Sequence, residues 1–150
     1  MIKIKNKLGK TRIYSKKLKT KIVLNEKFVS KKLKINKKNS AYGGLRFKNF
    51  FKNTFKNKPL ISIIMPNFKC SGLEKAIQSV LRQNYDNLEL IVIDGNSGTN
   101  TIKILKSYDK DIDIWISEND KGMWDAWNKG FQLANGDYVG IVDSSNILYP

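Results

Sequence analysis

Four polar segments, each placed directly after an apolar run of strand length, contain most of the residues in this chain that could do chemistry. They bring carboxylates, amides and hydroxyls to equivalent positions: Met65-Pro66-Asn67, Asp94-Gly95-Asn96-Ser97, Glu118-Asn119-Asp120-Lys121-Gly122 and Asp143-Ser144-Ser145-Asn146. Helical patterns fill the intervals, which predicts repeated β-α alternation and a largely parallel sheet. In such sheets ligands bind beyond the carboxyl ends of the strands. We therefore expect the four segments to converge on one binding site.

Asp94 ends the second apolar run, and its carboxylate can accept the imide N–H of a uracil or the hydroxyls of a ribose. The sequence Asp94-Gly95-Asn96-Ser97-Gly98 is equally good turn chemistry without any ligand. From the residues alone both interpretations stay open. Neither the Gly-x-Gly-x-x-Gly pattern nor a Walker lysine pattern is present, so the common dinucleotide and triphosphate loops are not indicated.

Asp143 lies where a metal ion for a nucleotide diphosphate would be expected. Cations of the magnesium type bind one or two carboxylates together with phosphate oxygens. One carboxylate followed by Ser144, Ser145 and Asn146 is a sparse donor set, and a turn or helix cap is the alternative interpretation. The chain contains no His, and Cys70 is its only cysteine. An intrachain disulfide, the usual Cys/His zinc sites and Ser-His or Cys-His catalysis are therefore excluded within this chain.

The elements that must position these residues are predicted from hydrophobic periodicity. Four apolar runs predict strands: 60–65, 88–93, 112–117 and 138–142. Ser71 and Glu74 form a capping-box pattern ahead of a helix whose apolar positions start at Leu73 and recur at i+3, i+4, i+7 and i+8. A shorter helix is predicted over 101–108. The order of elements is then β-α-β-α-β-α-β.

A third helix is predicted from about Gly122 to Ala134, where Asn135-Gly136 stops it. Its expected buried face consists of four residues: Met123, Ala126, Trp127 and Phe131.

Charge divides the chain into two parts. Residues 1–58 hold 20 Lys and Arg and a single acid, Glu26, whereas residues 59–150 hold 8 basic and 12 acidic residues. The net charge of +15 therefore comes from a basic leader over 1–58, followed by a slightly acidic globular segment over 59–150. The leader shows neither the apolar core of a secretory signal nor a stretch long enough to span a membrane. A cytoplasmic location is the default expectation.

The basic leader has several interpretations. It is expected mainly to be a solvated, partly ordered extension; peripheral binding to anionic lipid at the inner membrane face is the chief alternative. Nucleic-acid binding is a weaker third, although aromatic residues do alternate with lysines there: Phe47, Phe50, Phe51 and Phe55. Their spacing of three and four residues favours a short amphipathic helix that docks on the domain.

The segment from Pro59 to Pro150 resembles the N-terminal half of a family 2 glycosyltransferase of the GT-A fold, a Rossmann-like α/β architecture. Five segments in order support this resemblance: 59–66, 76–85, 90–97, 115–130 and 134–140. The fourth contains Glu118-Asn119-Asp120-Lys121-Gly122 followed by Asp125-Ala126-Trp127-Asn128-Lys129-Gly130, a combination similar to that of bacterial members acting on surface polysaccharides. Gly43-Gly44-Leu45-Arg46 also resembles the approach to the first strand in such proteins.

The resemblance implies an inverting transfer of sugar from a nucleotide-diphosphate sugar, with a UDP-sugar favoured, to a hydroxyl of a glycan or lipid-linked acceptor. Pro66 would border the nucleoside and Asp94 would contact the base. Four residues would line the donor pocket: Asp120, Lys121, Asn128 and Lys129. A divalent cation, Mg²⁺ or Mn²⁺, would bind at Asp143, with Asn146 as a weaker ligand.

Three departures from the family pattern affect these expectations. Lys69 stands where members usually have Asn, and Gly98-Thr99 replaces the usual Thr-Asp. Ser145 and Asn146 replace the two acids that usually end the metal motif, so metal affinity and stabilisation of the leaving group should both fall.

The resemblance also implies a truncated domain, with the general base and the acceptor-binding half beyond Pro150. A noncatalytic nucleotide-sugar-binding remnant or partner subunit is therefore the alternative to an active enzyme. Four strands without their outer partners would also leave a hydrophobic edge uncovered, which predicts poor solubility or dependence on another chain.

Overall fold

The computed structural model describes residues 2–14 and 39–150, which contain seven strands and three α-helices. The strands are β1 (Ile2–Lys5), β2 (Thr11–Tyr14), β3 (Ala41–Gly43), β4 (Ile61–Asn67), β5 (Leu88–Asp94), β6 (Ile114–Ser117) and β7 (Tyr138–Ile141). The helices are α1 (Leu73–Leu81), α2 (Thr99–Ser107) and α3 (Met123–Leu133). From β4 onward the order is β-α-β-α-β-α-β, which confirms the predicted fold class.

Five strands form one sheet, in the spatial order β3-β6-β5-β4-β7. β4 pairs in parallel with β5 and β7, and β5 pairs in parallel with β6, whereas β3 is antiparallel to β6. The sheet is therefore largely parallel, as predicted. Because β4 to β7 run in one direction, the segments that follow them meet at one edge of the sheet.

Helices cover both faces of this sheet. On one face, alternate residues of β4 and β5 pack with α1 and α2: Ile63, Met65, Leu90 and Val92 with Leu73, Ile77 and Leu105. On the other face, Ile91 and Ile93 pack with Ala126 and Leu133 of α3. A strand that is covered on both sides has an apolar residue at nearly every position, and β4 and β5 have that composition.

The capping box predicted at the start of the first helix is not formed. The N-cap of α1 is Gly72, and no side chain donates or accepts a capping hydrogen bond there. The Glu74 carboxylate instead accepts a hydrogen bond of 2.9 Å from the hydroxyl of Tyr108, at the end of α2. A tertiary contact between two helices thus replaces the local interaction that the sequence pattern favours.

The predicted buried face of the third helix was wrong at two of its four positions. Met123 and Phe131 are each 48% exposed, whereas Ala126, Gly130 and Leu133 are buried. A Cβ at Gly130 would lie 2.4 Å from Cγ2 of Ile64 in β4, so the helix backbone sits almost against the sheet. Small residues decide which face of α3 approaches the sheet, and the side chains of Trp124 and Phe131 are left exposed.

The Phe-rich segment docks on the domain, but the amphipathic helix predicted there is not formed. A single 3-10 turn, Leu45–Lys48, is the only helical structure between β3 and β4. Phe51 is 2% exposed and Phe55 is 39% exposed. The segment is held instead by two buried cations, since Arg46 pairs with Glu89 at 3.4 Å and Lys52 with Asp113 at 2.8 Å.

The described parts of the leader pack against residues 59–150. β1 and β2 form an antiparallel hairpin, and Arg12 of that hairpin donates hydrogen bonds to the carbonyls of Leu81 (3.2 Å) and Asp86 (2.9 Å). The division of the chain at residue 58 stays a prediction. The boundary was predicted from charge composition alone. β3 lies before residue 58 in the chain and nevertheless belongs to the five-stranded sheet, where it pairs with β6. Within 2–14 and 39–150, no helix has the length and hydropathy needed to cross a bilayer.

Candidate functional site

The polar segments that follow β4 to β7 converge on one cavity of about 590 Å³ at the carboxyl edge of the sheet. Each of the four segments contributes to the lining: Pro66, Asn67 and Phe68; Gly95; Asn119, Asp120 and Gly122; Asp143, Ser144 and Ser145. Cys70 and Met123 complete it. The cavity volume is within the range of small-molecule and cofactor sites. The structure therefore brings together the four polar segments that the sequence pattern predicted to converge.

Three of the eight predicted site residues line the cavity: Pro66, Asp120 and Asp143. The other five, Asp94, Lys121, Asn128, Lys129 and Asn146, do not belong to its lining. Their predicted contacts with a ligand stay predictions.

Asp94 is fully buried below the cavity. Its carboxylate accepts hydrogen bonds from Nδ2 of Asn67 (2.6 Å), from the Ser97 amide (3.0 Å) and hydroxyl (2.5 Å), and from the Ser117 hydroxyl (2.6 Å). Its backbone carbonyl accepts a further bond of 2.9 Å from the amide of Glu118. One carboxylate thus connects the carboxyl ends of β4, β5 and β6. A buried charge needs such partners, and here they fix the floor of the cavity.

Gly95 permits the close approach of two loops at the cavity. A Cβ at this position would lie 2.9 Å from Oδ2 of Asp120 and 3.1 Å from Cδ2 of Phe68. The Asp120 carboxylate can therefore lie directly above the end of β5. Its Oδ1 also accepts a hydrogen bond of 2.9 Å from the amide of Gly122, where a φ of 98° favours glycine.

Lys129 does not present a free ammonium group to the cavity. Its Nζ lies 2.8 Å from Oε1 of Glu118 and 3.1 Å from Oδ2 of Asp125, and the residue is buried. Burial alone would lower the pKa of Lys129, but hydrogen bonds and charge from the two carboxylates reverse this and raise it. The Asp125 carboxylate also accepts a hydrogen bond of 3.2 Å from the amide of Lys121. The ion pairs thereby join α3 to the loop that supplies Asp120.

Asp143 uses one of its carboxylate oxygens to hold its own loop. Oδ1 accepts hydrogen bonds from the amide (2.9 Å) and the hydroxyl (2.7 Å) of Ser145, while the backbone carbonyl accepts one of 2.9 Å from the amide of Asn146. Within 2–14 and 39–150 there is no group of three or more His, Cys, Asp or Glu side chains that could hold a metal by themselves. A cation at Asp143 would have to take most of its ligands from a bound molecule and from water.

The lining of the cavity is acidic: it contains the carboxylates of Asp120 and Asp143 and no Lys or Arg among the described residues. A diphosphate in this cavity would need a cation between its oxygens and these carboxylates. The donor set and the charge of the cavity therefore fit a divalent cation that binds together with a diphosphate.

Several lining residues were not among the predicted site residues. Asn67 is 4% exposed; its Nδ2 is bound to Asp94, and its Oδ1 has no partner among the described residues. Phe68 is 64% exposed at the mouth, and Asn119 is held by a bond of 2.9 Å from Nδ2 of Asn96. Each follows the end of a predicted strand by two or three residues, which is the signal that could have identified them. Cys70 and Met123 lie further from the strand ends and have no such signal.

A mostly parallel sheet covered by helices, with a cavity at its carboxyl edge, defines an open α/β protein of the kind that binds ligands at that edge. The chain belongs to glycosyl transferase family 2, whose sequence model matches residues 62–150. The fold is GT-A: a mannosyltransferase from Pyrobaculum calidifontis, solved in complex with GDP-Man and Mn²⁺, superimposes with a TM-score of 0.55 at 22% identity. That match covers 65% of this chain and 30% of the other. TarS 1-349 from S. aureus gives a TM-score of 0.52, also at 22% identity, over 60% of this chain and 28% of the other.

Curated relatives are more similar in sequence. An uncharacterized glycosyltransferase of Haemophilus influenzae is 39% identical over 97 residues, which is 61% of this chain and 38% of that protein. A UDP-Glc:alpha-D-GlcNAc-diphosphoundecaprenol beta-1,3-glucosyltransferase of Escherichia coli is 38% identical over 90 residues, which is 59% of this chain and 36% of that protein. The chain thus spans little more than a third of the length of these two relatives.

Proposed function

We propose that this chain binds a nucleotide-diphosphate sugar, with a UDP-sugar favoured, in the cavity at the carboxyl edge of the sheet. The observation that supports this most directly is the convergence of Pro66, Asp120 and Asp143 on one acidic cavity in a family 2 glycosyltransferase fold. The relative from Escherichia coli is named for a UDP-Glc donor, whereas the mannosyltransferase was solved with GDP-Man. The higher sequence identity of the former favours UDP.

The role that we propose for Asp94 is to hold the base-binding end of the cavity in shape. Its carboxylate already has four hydrogen bonds, so it holds Asn67, which lines the cavity, and Ser97 in place. A direct contact between Asp94 and a base would require one of these bonds to exchange. Lys121, which is exposed and follows Asp120 in the chain, is a candidate for a positive charge toward the diphosphate.

The divalent cation that we propose would be held by Asp143 with the diphosphate. When bound, such a cation neutralises charge on the departing nucleoside diphosphate. The free Oδ2 of Asp143 and the nearby Asp120 are the carboxylate groups that face the cavity. Asn146 could add a neutral oxygen, but its side chain is outside the lining.

The reaction that we propose for the complete catalytic unit is an inverting transfer of the sugar to a hydroxyl in bacterial polysaccharide synthesis. Two relatives support this class of acceptor by name: the diphosphoundecaprenol-linked glucosyltransferase and a putative teichuronic acid biosynthesis glycosyltransferase of Bacillus subtilis. No catalytic base is assigned among the described residues. A lipid-linked acceptor would place the protein at the inner face of the membrane, where the basic residues of 1–58 favour anionic lipid.

Calorimetric titration of the purified chain with UDP and UDP-sugars, with and without Mn²⁺, tests the donor site. We expect binding that requires the metal and that is lost in Asp143→Ala, because no other lining carboxylate belongs to the predicted metal motif. Lys103→Ala, on the exposed side of α2, serves as the control and should bind as the wild type does. Folding of each variant is checked by circular dichroism.

The other hypotheses give different results in the same titration. If the folded chain binds no nucleotide under any condition, the donor-site proposal and the nucleotide-sugar-binding remnant both fail, and a noncatalytic partner subunit remains. Metal-independent binding that survives in Asp143→Ala would contradict the cation site but keep the cavity. Salt-sensitive binding of RNA without any response to nucleotide sugars would favour the nucleic-acid hypothesis.

A further inference from the structure

The segment that follows β7 carries Asp143 at its start and then runs beside helix α1. A Cβ at Gly72, the N-cap of α1, would lie 2.9 Å from the carbonyl oxygen of Ser144, so the start of the segment packs directly on the start of the helix. Near its end, Leu148 contacts Ser79 in α1 and Gln83 just after it. The first residues of this segment line the donor cavity, whereas Ser79 and Gln83 do not.

Ser79 and Gln83 bind both backbone hydrogen-bonding groups of Leu148. The amide of Leu148 donates a hydrogen bond of 3.1 Å to Oγ of Ser79, and its carbonyl accepts one of 3.1 Å from Nε2 of Gln83. The two side chains stand at i and i+4, a spacing that places them on one side of a helix. Because backbone groups are bound, the position of Leu148 along the helix is fixed whatever its own side chain contacts.

The two side chains are themselves held in place by α1. The Ser79 hydroxyl donates a bond of 2.7 Å to the Ala76 carbonyl, which leaves its oxygen to accept from Leu148. Nε2 of Gln83 donates a second bond, of 3.0 Å, to the Ser79 carbonyl. A serine that bonds to a carbonyl of the preceding turn is common in helices, but the bond from Leu148 joins elements that are distant in sequence. The helix therefore presents a fixed pair of groups to the segment.

Apolar burial does little to hold this segment, since its residues Ile147 and Tyr149 are 52% and 81% exposed. A turn connects Leu148 to the cavity: the amide of Asn146 donates a bond of 2.9 Å to the carbonyl of Asp143. A slip of the segment by one residue would move the Asp143 carboxylate by about 3.5 Å. Ligand distances in metal sites are fixed to about 0.2 Å, so such a slip would remove Asp143 from a cation.

We propose that Ser79 and Gln83 are positioning residues for the cation site: they hold Leu148 and thereby fix the turn that presents Asp143 to the cavity. Their role rests on the proposed function, in which Asp143 binds a divalent cation together with the diphosphate. Groups that orient a metal ligand from behind commonly alter metal affinity without touching the metal. This role gives a function to two residues of segment 76–85, which resembles the family but contains none of the predicted site residues.

Electron paramagnetic resonance of free Mn²⁺, in the presence of the full chain and UDP, tests this role. Ser79→Ala and Gln83→Met each remove one hydrogen bond to Leu148, and each should raise the Kd for Mn²⁺ about tenfold. Gln78→Met is the matched control, because it makes the same substitution in α1 where the side chain donates a bond of 2.8 Å to the Tyr108 hydroxyl. It should leave the Kd for Mn²⁺ unchanged.

Two measurements without ligand separate positioning from general destabilisation. Amide hydrogen exchange, followed by NMR, should accelerate at Leu148 and Asn146 in Ser79→Ala and Gln83→Met but not in Gln78→Met. Urea denaturation gives the free energy of unfolding of each variant, and we expect Gln83→Met and Gln78→Met to lose similar amounts. A merely structural role for Gln83 would lower stability without a selective change in Mn²⁺ affinity.

Unchanged Mn²⁺ affinity in both Ser79→Ala and Gln83→Met, with binding by the wild type intact, would overturn the positioning role and leave the donor site standing. Equal weakening in Gln78→Met would overturn it as well, because affinity would then follow stability. If the folded wild type bound no Mn²⁺ in the presence of UDP, the proposed function would fail, and the positioning role would fail with it.

Discussion

At the residue scale, the candidate donor site depends on groups that are buried behind its lining. Asp94 receives four hydrogen bonds below the cavity, and Lys129 joins Glu118 and Asp125 beside it. Both residues were predicted to contact the donor, which stays a prediction; in the structure their hydrogen bonds and ion pairs hold the loops that line the cavity. The shape of the cavity thus depends on charged groups that a ligand need not touch.

Asp94→Asn should lower the free energy of unfolding by about 3 kcal/mol, because an amide turns its own NH₂ group toward at least one of the donors and leaves a buried donor unpaired. Urea denaturation measures this loss. Asp120→Asn is the matched control: this carboxylate lines the open cavity, and the change should stay within about 0.5 kcal/mol. If Asp94→Asn left stability unchanged but abolished UDP binding, Asp94 would be a direct ligand of the base and not a support.

Lys69→Asn should raise the free energy of unfolding by about 0.5 kcal/mol. Lys69 has a φ of 49°, in the left-handed region, where Asn is tolerated better than other residues with a Cβ. Asn is also the residue that the family usually has at this position. Thermal unfolding would detect the gain, and Lys75→Asn, at an exposed helical position, should instead destabilise slightly. A loss of stability in Lys69→Asn would mean that the lysine side chain contributes more than the backbone strain costs.

At the element scale, the segment between β3 and β4 is attached to the sheet by buried charges rather than by a helix. Arg46 donates hydrogen bonds to Glu89 (3.4 Å) and to the Leu133 carbonyl (2.5 Å), and burial lowers the pKa of this guanidinium. Glu89 in turn accepts bonds of 2.6 Å from the Ser62 hydroxyl and the Asn135 amide. The network connects a segment from the basic leader to β4, β5 and the end of α3.

Lys52→Met should lower the free energy of unfolding by about 3 kcal/mol, because it leaves the carboxylate of Asp113 buried without its cation. The side chains of Lys52 and Asp113 are 2% and 1% exposed. Lys58→Met is the matched control. Its pair with Asp86 is 45% exposed on both sides, and its loss should cost at most about 0.5 kcal/mol.

Chemical denaturation of the two variants measures the difference, and Lys52→Met/Asp113→Asn should recover part of the stability because the uncompensated charge is then removed. Equal losses in the two single variants would show that the segment is not held by its buried charge.

At the scale of the whole molecule, one side of the sheet remains apolar and exposed. β7 pairs only with β4 among the described strands, and its residues Tyr138, Val139 and Ile141 are 62%, 42% and 40% exposed. Trp124 of α3 and Tyr149 are also exposed, by 69% and 81%, and both belong to the C-terminal part of the sequence. An edge strand with exposed apolar side chains is a surface for association.

We therefore expect the 150-residue chain to self-associate at high concentration, and Val139→Lys to reduce that association at least severalfold by placing a charge on the edge strand. Sedimentation velocity over a range of concentrations measures the effect. Ile13→Lys makes the same change at a residue of similar exposure, 39%, on the hairpin, and should leave association unchanged. Equal effects would attribute the association to net charge and not to β7.

The sequence by itself determined the class of fold and the edge of the sheet at which a ligand would bind. Apolar runs and helical periods are local patterns, and the polar segments after β4 to β7 must meet because parallel strands end at the same edge. That reasoning placed the segments containing Pro66, Asp120 and Asp143 at one edge, whereas the family resemblance implied the donor-binding roles of Pro66 and Asp120.

Only the tertiary structure decided which of the predicted residues line the cavity. Asp94 and Lys129 have partners from other elements, distant in sequence, and no periodicity records such pairs. The close contact of Gly130 with Ile64 decides which face of α3 packs on the sheet. The buried ion pairs of Arg46 with Glu89 and of Lys52 with Asp113 attach the end of the basic leader to the domain. Packing distance and burial depend on what lies across an interface, and these properties arise only when the elements are assembled.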